Sequence, residues 1–199
     1  MIRLNDLHRY IIEKNNNHNY VRHQALHLSE VAICGYKYRY ILDNNITYPF
    51  TYKYEIGNAF EKIMVSHLNE LTPVASQYEV EYNAYNYTFV GHLDAYDYKN
   101  NVIYELKSST SAKDFTDIYL RQLKAYMIVL KADGLLWKYN ILSGQFDEIE
   151  VHYDELSKED FKSLDDNIKA FTENRYVEGI ENSLCYFCNN VNCPMRVNK

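Results

Sequence analysis

The chain has 199 residues and a formal net charge of −6 at pH 7, with 47% hydrophobic and 24% charged residues. This length suits one domain with room for one substantial core. With only 3 prolines and 6 glycines, the composition excludes a collagen-like chain, a disulfide mini-protein and wholesale disorder. The negative charge also excludes attraction of the whole surface to nucleic acid, so a DNA ligand would need local basic patches or bound metal ions.

Membrane and export signals are missing from the sequence. No apolar run approaches the roughly 18 residues that span a bilayer. The first ten residues carry scattered charges and no hydrophobic core of a signal peptide. The sequence therefore predicts a cytoplasmic protein that does not act at a membrane.

Apolar periodicity predicts helices and strands along the whole chain. A polar segment at 15–19 indicates a loop after a short first helix, and Ser29 is the predicted cap of a helix that runs to about Leu42. The elements predicted after it are a helix over 57–71, strands over 78–82, 87–98 and 102–107, a helix over 117–131, a hairpin of strands over 135–142 and 146–153, and a helix over 157–171. This order predicts an α/β fold with a mixed central sheet flanked by helices.

Two acidic residues and a lysine are predicted to meet on one hairpin. Because residues two apart on a strand share a face, Glu105 and Lys107 point the same way while Leu106 points into the core. The turn at 99–101 folds Asp94 back near Glu105. Two carboxylates there suit Mg²⁺ or Mn²⁺, and the lysine can orient or deprotonate a metal-bound water. From the spacing alone, a solvated strand face with an incidental Glu–Lys pair is an equally good interpretation.

Residues on the two neighbouring helices add to this group. Glu61 follows Gly57 by four residues on the preceding helix, and Gln122 and Tyr126 are four apart on the following one, hence on one helix face. Tyr126 also offers a ring for stacking on a base. The cations expected near phosphate are Lys107, Lys113, Arg121 and Lys124.

In this order, Asp94, Glu105-Leu106-Lys107, then Gln122 and Tyr126 resemble the RecB-like branch of the PD-(D/E)xK nuclease superfamily. The resemblance implies a restriction-endonuclease-like core in which Asp94, Glu105 and the Leu106 carbonyl bind the metal and Lys107 is the catalytic lysine. It further implies that Gln122 and Tyr126 position DNA near the scissile phosphate. The family usually has histidine at the position of Glu61, so here a carboxylate is the expected ligand and the metal preference is open.

The four cysteines predict a metal centre. Cys185, Cys188 and Cys193 form a compact trio near the end of the chain, and Cys34 lies some 150 residues earlier. Metal is favoured over disulfides in a cytoplasmic protein. Four sulfurs satisfy a structural Zn²⁺ or a [4Fe–4S] cluster, and the spacing by itself leaves both open.

An N-terminal cysteine, a nuclease core and a C-terminal cysteine trio together resemble the iron–sulfur RecB-like exonucleases. These include the CRISPR-associated exonuclease family and relatives from archaeal viruses. The resemblance implies a [4Fe–4S] cluster on Cys34, Cys185, Cys188 and Cys193, and an exonuclease that cuts single-stranded DNA from 5′ to 3′. It implies one domain with a helical part (1–55), a nuclease core (56–172) and a cysteine-rich tail (173–199).

Other functions and partners remain open. The chain could be an endonuclease or end-processing factor in CRISPR spacer acquisition, or a non-catalytic decoy that binds DNA or protein. A second copy of the chain and the CRISPR adaptation proteins are the candidate protein partners.

Overall fold

The computed structural model describes residues 25–46, 52–109 and 114–196. The predicted first helix, the polar loop at 15–19 and Lys113 lie outside these ranges. The elements are β1 (Leu26–His27), α1 (Leu28–Asp43), α2 (Tyr52–Leu71), β2 (Ala75–Ala84), β3 (Tyr87–Asp97), β4 (Val102–Ser109), α3 (Thr116–Leu130), β5 (Asp133–Asn140), β6 (Gln145–Val151) and α4 (Lys158–Thr172). The predicted α/β class, with helices flanking a mixed central sheet, is confirmed.

The sheet is built around β3. Strand β2 pairs with β3 in antiparallel fashion from Ala75–Tyr96 to Ala84–Tyr87, and so occupies one edge of β3 along nearly its whole length. The other edge is shared by β1, which is parallel, and by β4, which is antiparallel. Strands β4 and β5 are parallel and are joined through α3, and β6 closes the sheet as an antiparallel hairpin with β5.

Helices cover both faces of the sheet. The larger core lies between the sheet and helices α1, α3 and α4, and includes Leu28, Leu93, Leu123, Met127 and Phe171. On the opposite face, Val65 and Leu68 of α2 pack on Ala95 and Leu106. Leu106 is 5% exposed, which confirms that it points into a core.

Helix α1 begins earlier than predicted and is interrupted. Its N-cap is His27 rather than Ser29, because the β1–β3 pairing carries the chain directly from a strand into the helix. Cys34 breaks the helix with φ −162° and ψ 100°. Next to it, the Gly35 N–H donates to Asn167 Oδ1 of α4 at 3.1 Å. The prediction of a cap at Ser29 is therefore wrong, while the predicted helix to about Leu42 is present with an interruption at Cys34.

Among the described residues, none of the helices is both long enough and apolar enough to cross a bilayer.

Candidate active site

The candidate site lies where β3 and β4 separate. The β3–β4 ladder pairs Asp97 with Val102 through Ala95 with Tyr104 and goes no further. Beyond it, the Leu106 N–H donates to Asp94 Oδ2 at 2.7 Å. The carboxylate of Asp94 therefore takes the place of a backbone acceptor at the point where the strands part, and it is held there by β4.

Glu105 and Lys107 project from β4 on the face opposite Leu106. Lys107 Nζ donates to Glu105 Oε1 and lies 3.8 Å from Asp94 Oδ2. Gln122 Nε2 of α3 also donates to Glu105 Oε1, at 2.6 Å. The other oxygen, Glu105 Oε2, is buried without a hydrogen-bond partner in the described part of the chain. The two acids and the lysine thus come together as the strand pattern predicted.

Burial controls the protonation of this group. Burial, reinforced by the charge of Asp94, raises the pKa of Glu105 to about 8. Burial works against the charge of Lys107, but the carboxylates of Glu105 and Asp94 outweigh it, and the pKa of the ammonium is raised. Lys107 is consequently a cation and a hydrogen-bond donor at neutral pH, which favours orienting a water over deprotonating it.

Helix α3 supports Glu105 from behind. Gln122 Nε2 also lies 3.3 Å from the Tyr126 hydroxyl, so these two residues share a helix face as predicted. The Tyr126 hydroxyl donates to the His92 carbonyl at 3.3 Å, and Tyr126 is 1% exposed. Its ring lies so close to Gly91 that a Cβ there would stand 2.5 Å from Cε1. The expectation that this ring stacks on a base is wrong, because β3 covers it.

Glu61 approaches the same place from α2. It lines a groove of about 630 Å³ between α2 and β2, together with Asp94. Burial and then the charge of Asp94 raise the pKa of Glu61, and the charge of Glu61 is felt at Glu105 in turn. Glu61 Oε1 accepts a hydrogen bond from Gln77 Nε2 at 2.5 Å. Gln77 was not predicted from the sequence, because a lone glutamine in a polar strand carries no signal.

The donor atoms suit a hard divalent cation. Asp94, Glu105 and Glu61 offer carboxylate oxygens, the ligand type that Mg²⁺ and Mn²⁺ prefer. Glu105 Oε2 is buried and has no hydrogen-bond partner within the described ranges. Over the described residues, no three Cys, His, Asp or Glu side chains already stand close enough to form a finished metal site. These side chains have the chemistry that a divalent cation needs. To bind it, the third carboxylate, that of Glu61, would have to move closer to the other two.

Two of the cationic side chains expected near phosphate form contacts away from the candidate site. Arg121 donates to the carbonyl oxygens of Ile180 at 2.9 Å and Glu181 at 2.5 Å. Lys124 pairs with Asp160 at 2.7 Å. The prediction that Arg121 and Lys124 face phosphate is wrong, because their part of α3 faces the tail and α4 rather than the gap between β3 and β4.

The cysteine residues lie in one neighbourhood. Cys34 is at the interruption of α1, and Cys185 belongs to the 3-10 turn Ser183–Phe187. All four thiols are free and half-buried. Burial raises the pKa of Cys34 to about 11, and charges at Cys185, Cys188 and Cys193 act in the same direction. Among the described residues, no three of these cysteine side chains stand close enough to form a finished metal site.

Polar contacts fix the tail beside Cys34. Asn182 Nδ2 donates to the Ile33 carbonyl at 2.8 Å, and Asn182 Oδ1 accepts from the Leu184 N–H at 2.9 Å. Asn190 is 1% exposed, and its Nδ2 has no hydrogen-bond partner in the part of the chain that is described. An amide N–H is a group that can donate to metal-bound sulfur. The donor set therefore suits a sulfur-ligated metal centre.

Solved structures, two exonucleases among them, share this architecture. The crystal structure titled SSO0001 has a TM-score of 0.70 and 18% identity, over 96% of this chain and 98% of that one. The alkaline exonuclease LHK-Exo from Laribacter hongkongensis has a TM-score of 0.53 and 11% identity, over 75% of this chain and 88% of that one. A phage-related exonuclease from Haemophilus somnus 129PT has a TM-score of 0.54 and 13% identity, over 76% and 93%. No protein-family model and no curated protein matches the sequence. Because the sequence identities are this low, the structural similarity establishes the fold of this chain and nothing further.

Proposed function

We propose that this chain is a divalent-metal-dependent deoxyribonuclease of the RecB-like PD-(D/E)xK type. The observation that carries the proposal is the meeting of Asp94, Glu105 and Lys107 at the gap between β3 and β4, with one Glu105 oxygen left without a partner among the described residues. The shared exonuclease fold supports it. LHK-Exo has also been crystallised in complex with dAMP, a mononucleotide unit of DNA, which supports DNA as the substrate.

The chemistry needs a cation and a positioned water. Asp94, Glu105, the Leu106 carbonyl and Glu61 would hold Mg²⁺ or Mn²⁺. The cation supplies positive charge for a phosphate oxygen and lowers the pKa of a bound water. Lys107, as an ammonium, donates a hydrogen bond to the attacking water or to a phosphate oxygen. Gln122 donates to Glu105 and keeps it in place. The Tyr126 hydroxyl accepts from Gln122 and donates to the His92 carbonyl, and so fixes Gln122.

The finer proposal is an exonuclease that acts on single-stranded DNA from 5′ to 3′. Its support is the resemblance of the motifs together with the exonuclease neighbours. The net charge of −6 favours few phosphate contacts and hence a shallow dependence of binding on salt. A [4Fe–4S] cluster on the cysteines and a role in CRISPR spacer acquisition belong to the same proposal.

A cleavage assay with matched lysine variants tests the proposal. Linear single- and double-stranded DNA labelled at either end, and circular single-stranded DNA, are incubated with Mn²⁺, with Mg²⁺ or with chelator. We expect end-directed cleavage of linear single strands that needs metal, and a loss of about 100-fold or more in Lys107→Met. Lys138→Met is the control, since Lys138 is level with Lys107 on the adjacent strand but pairs with Asp114 and Asp147.

The same assay separates the alternatives. Cutting of the circle would assign an endonuclease. DNA binding without cleavage under any metal would assign a non-catalytic module. Equal rates in Lys107→Met and Lys138→Met would remove Lys107 from the mechanism.

A further inference from the structure

A left-handed residue interrupts β2 opposite Asp94. Gln77 has a backbone φ of 50°, a conformation that residues other than glycine and asparagine rarely adopt within a strand. The β2–β3 ladder pairs Ser76 with Ala95 and Tyr78 with Leu93, which leaves Gln77 and Asp94 facing each other unpaired. Both strands are therefore irregular at the same level, and this level contains a residue of the candidate site.

The irregularity changes the face of the sheet on which the following side chains of β3 lie. In a regular strand Leu93 and Ala95 would share a face. Here Leu93 belongs to the larger core, and Ala95 packs on the other side of the sheet with Val65 and Leu68 of α2. The alternation of β3 inverts at Asp94, and this inversion coincides with the freedom of the Asp94 side chain to accept the Leu106 N–H between the strands.

The side chain of Gln77 connects this irregularity to a third element. Gln77 Nε2 donates to Glu61 Oε1 of α2 at 2.5 Å, and both residues line the groove that ends at Asp94. A glutamate on a helix has several torsions to fix, and a partner that holds it lowers the entropic cost of binding a ligand. An amide also holds the carboxylate without cancelling its charge, which a lysine or arginine in this place would do.

We infer that Gln77 is a positioning residue of the candidate site, which orients the Glu61 carboxylate toward Asp94 and sets the strand break that leaves Asp94 outside the ladder. The inference rests on the proposed function, because it gives Glu61 and Asp94 their role as cation ligands. Gln77 itself contacts Glu61, and it acts on the cation through that carboxylate.

Glycine at position 77 separates the two contributions of this residue. Gln77→Gly keeps the left-handed backbone at no steric cost and removes only the amide. Mn²⁺ binding is measured by calorimetry and by electron paramagnetic resonance for the wild type, Gln77→Gly, Glu61→Ala and the double variant. We expect Gln77→Gly to unfold at or above the wild-type temperature and yet to bind Mn²⁺ about 10-fold more weakly, as on removal of other partners of metal ligands. In the Glu61→Ala background, which has no acceptor for the amide, the same change should have no further effect.

A matched control completes the test. The control is Gln145→Gly, because Gln145 Nε2 makes the same kind of bond to Asp147, at 3.2 Å, on strand β6. We expect this variant to bind Mn²⁺ with wild-type affinity.

The outcomes are distinct from those of the proposed function. Wild-type Mn²⁺ affinity in Gln77→Gly, or an equal loss with and without Glu61, overturns the positioning role while the nuclease assignment stands. A wild-type protein that binds no Mn²⁺ and cuts no DNA overturns the proposed function and this inference together.

Discussion

The carboxyl group of Glu105 has no exposed surface, and among the described residues its hydrogen-bond partners reach only one of its two oxygens. A buried charge costs free energy unless it is paired and hydrogen-bonded. Lys107 and Gln122 both donate to Oε1, and Oε2 is left with no donor among the residues that are described. Such an arrangement weakens the fold, and it is typical of a site where the charge serves a function.

This leads to a prediction about pH. The pKa of Glu105 rises from 4.5 to about 8 on folding, so the native state holds a proton that the unfolded chain releases. Without metal, the stability due to this proton is complete below about pH 4.5 and is lost as the pH rises through 8. Relative to the isosteric Glu105→Gln, wild-type protein in chelator should lose about 5 °C or more in melting temperature between pH 5 and pH 8.

Thermal unfolding of both proteins, followed by circular dichroism across this pH range, measures the difference. Mn²⁺ should restore the wild type at pH 8 and leave Glu105→Gln unchanged, since the cation replaces the proton on the carboxylate only. A constant gap between the two melting temperatures from pH 5 to pH 8 would contradict the raised pKa of Glu105.

At the scale of elements, the contact between α1 and α4 fixes the position of Cys34. A Cβ at Gly35 would stand 1.8 Å from the Asn167 carbonyl oxygen, so the two helix backbones touch at this point. Asn167 is fully buried and its Oδ1 accepts the Gly35 N–H. The interruption of α1 at Cys34 is therefore part of a close helix–helix contact, and the cysteine is presented by that contact.

Gly35→Ala should force α1 and α4 apart. We expect a loss of about 3 kcal/mol in the free energy of unfolding, at the upper end of the usual cost of overpacking. Urea unfolding measures it. Gly57→Ala is the control, because a Cβ there meets only Ser108 Oγ at 3.3 Å and should cost much less. Equal losses in the two variants would show that the helix contact tolerates a methyl group.

At the scale of the whole molecule, the tail closes the fold. Arg121 donates to the carbonyls of Ile180 and Glu181, and Asp117 accepts from Ser183 N–H and Oγ at 2.8 and 2.6 Å. These contacts hold the tail on α3, and the bond from Asn182 to the Ile33 carbonyl brings it beside Cys34, some 150 residues earlier in the chain. A metal bound by all four sulfurs would close this very long loop and stabilise the native state.

Because one bound metal would close the loop, we expect substitution of cysteines far apart in the chain to lower stability equally. Cys34→Ser and Cys188→Ser should both lose the bound metal and lower the melting temperature by the same amount, because removal of either ligand opens the same loop. Anaerobic wild-type protein should carry about four irons and absorb broadly near ~400 nm. Val191→Ser, an exposed change in the same tail, is the control.

Metal analysis and absorption spectra decide between the outcomes. One zinc and no iron would replace the cluster by a structural zinc site without touching the nuclease proposal. Loss of metal in Cys188→Ser but not in Cys34→Ser would remove Cys34 from the centre.

The sequence by itself determined the periodic features of this protein. Alternation on the strands brought Glu105 and Lys107 to one face, and helical spacing brought Gln122 and Tyr126 to another, because these relations depend on a few neighbouring residues. The order of helices and strands then fixed the α/β class. The same local logic could not assign Ser29, where pairing of β1 with β3 moved the helix start to His27.

Only the tertiary structure decided what each side chain meets. From the sequence, Arg121 and Lys124 are expected to contact phosphate. In the structure they bind the tail and α4 instead. No local sequence pattern indicates the left-handed backbone of Gln77, the burial of the Tyr126 ring or the Glu105 oxygen that has no partner in the described part of the chain. Each results from elements far apart in the chain that pack against one another, and burial and long-range hydrogen bonds are set only when those elements meet.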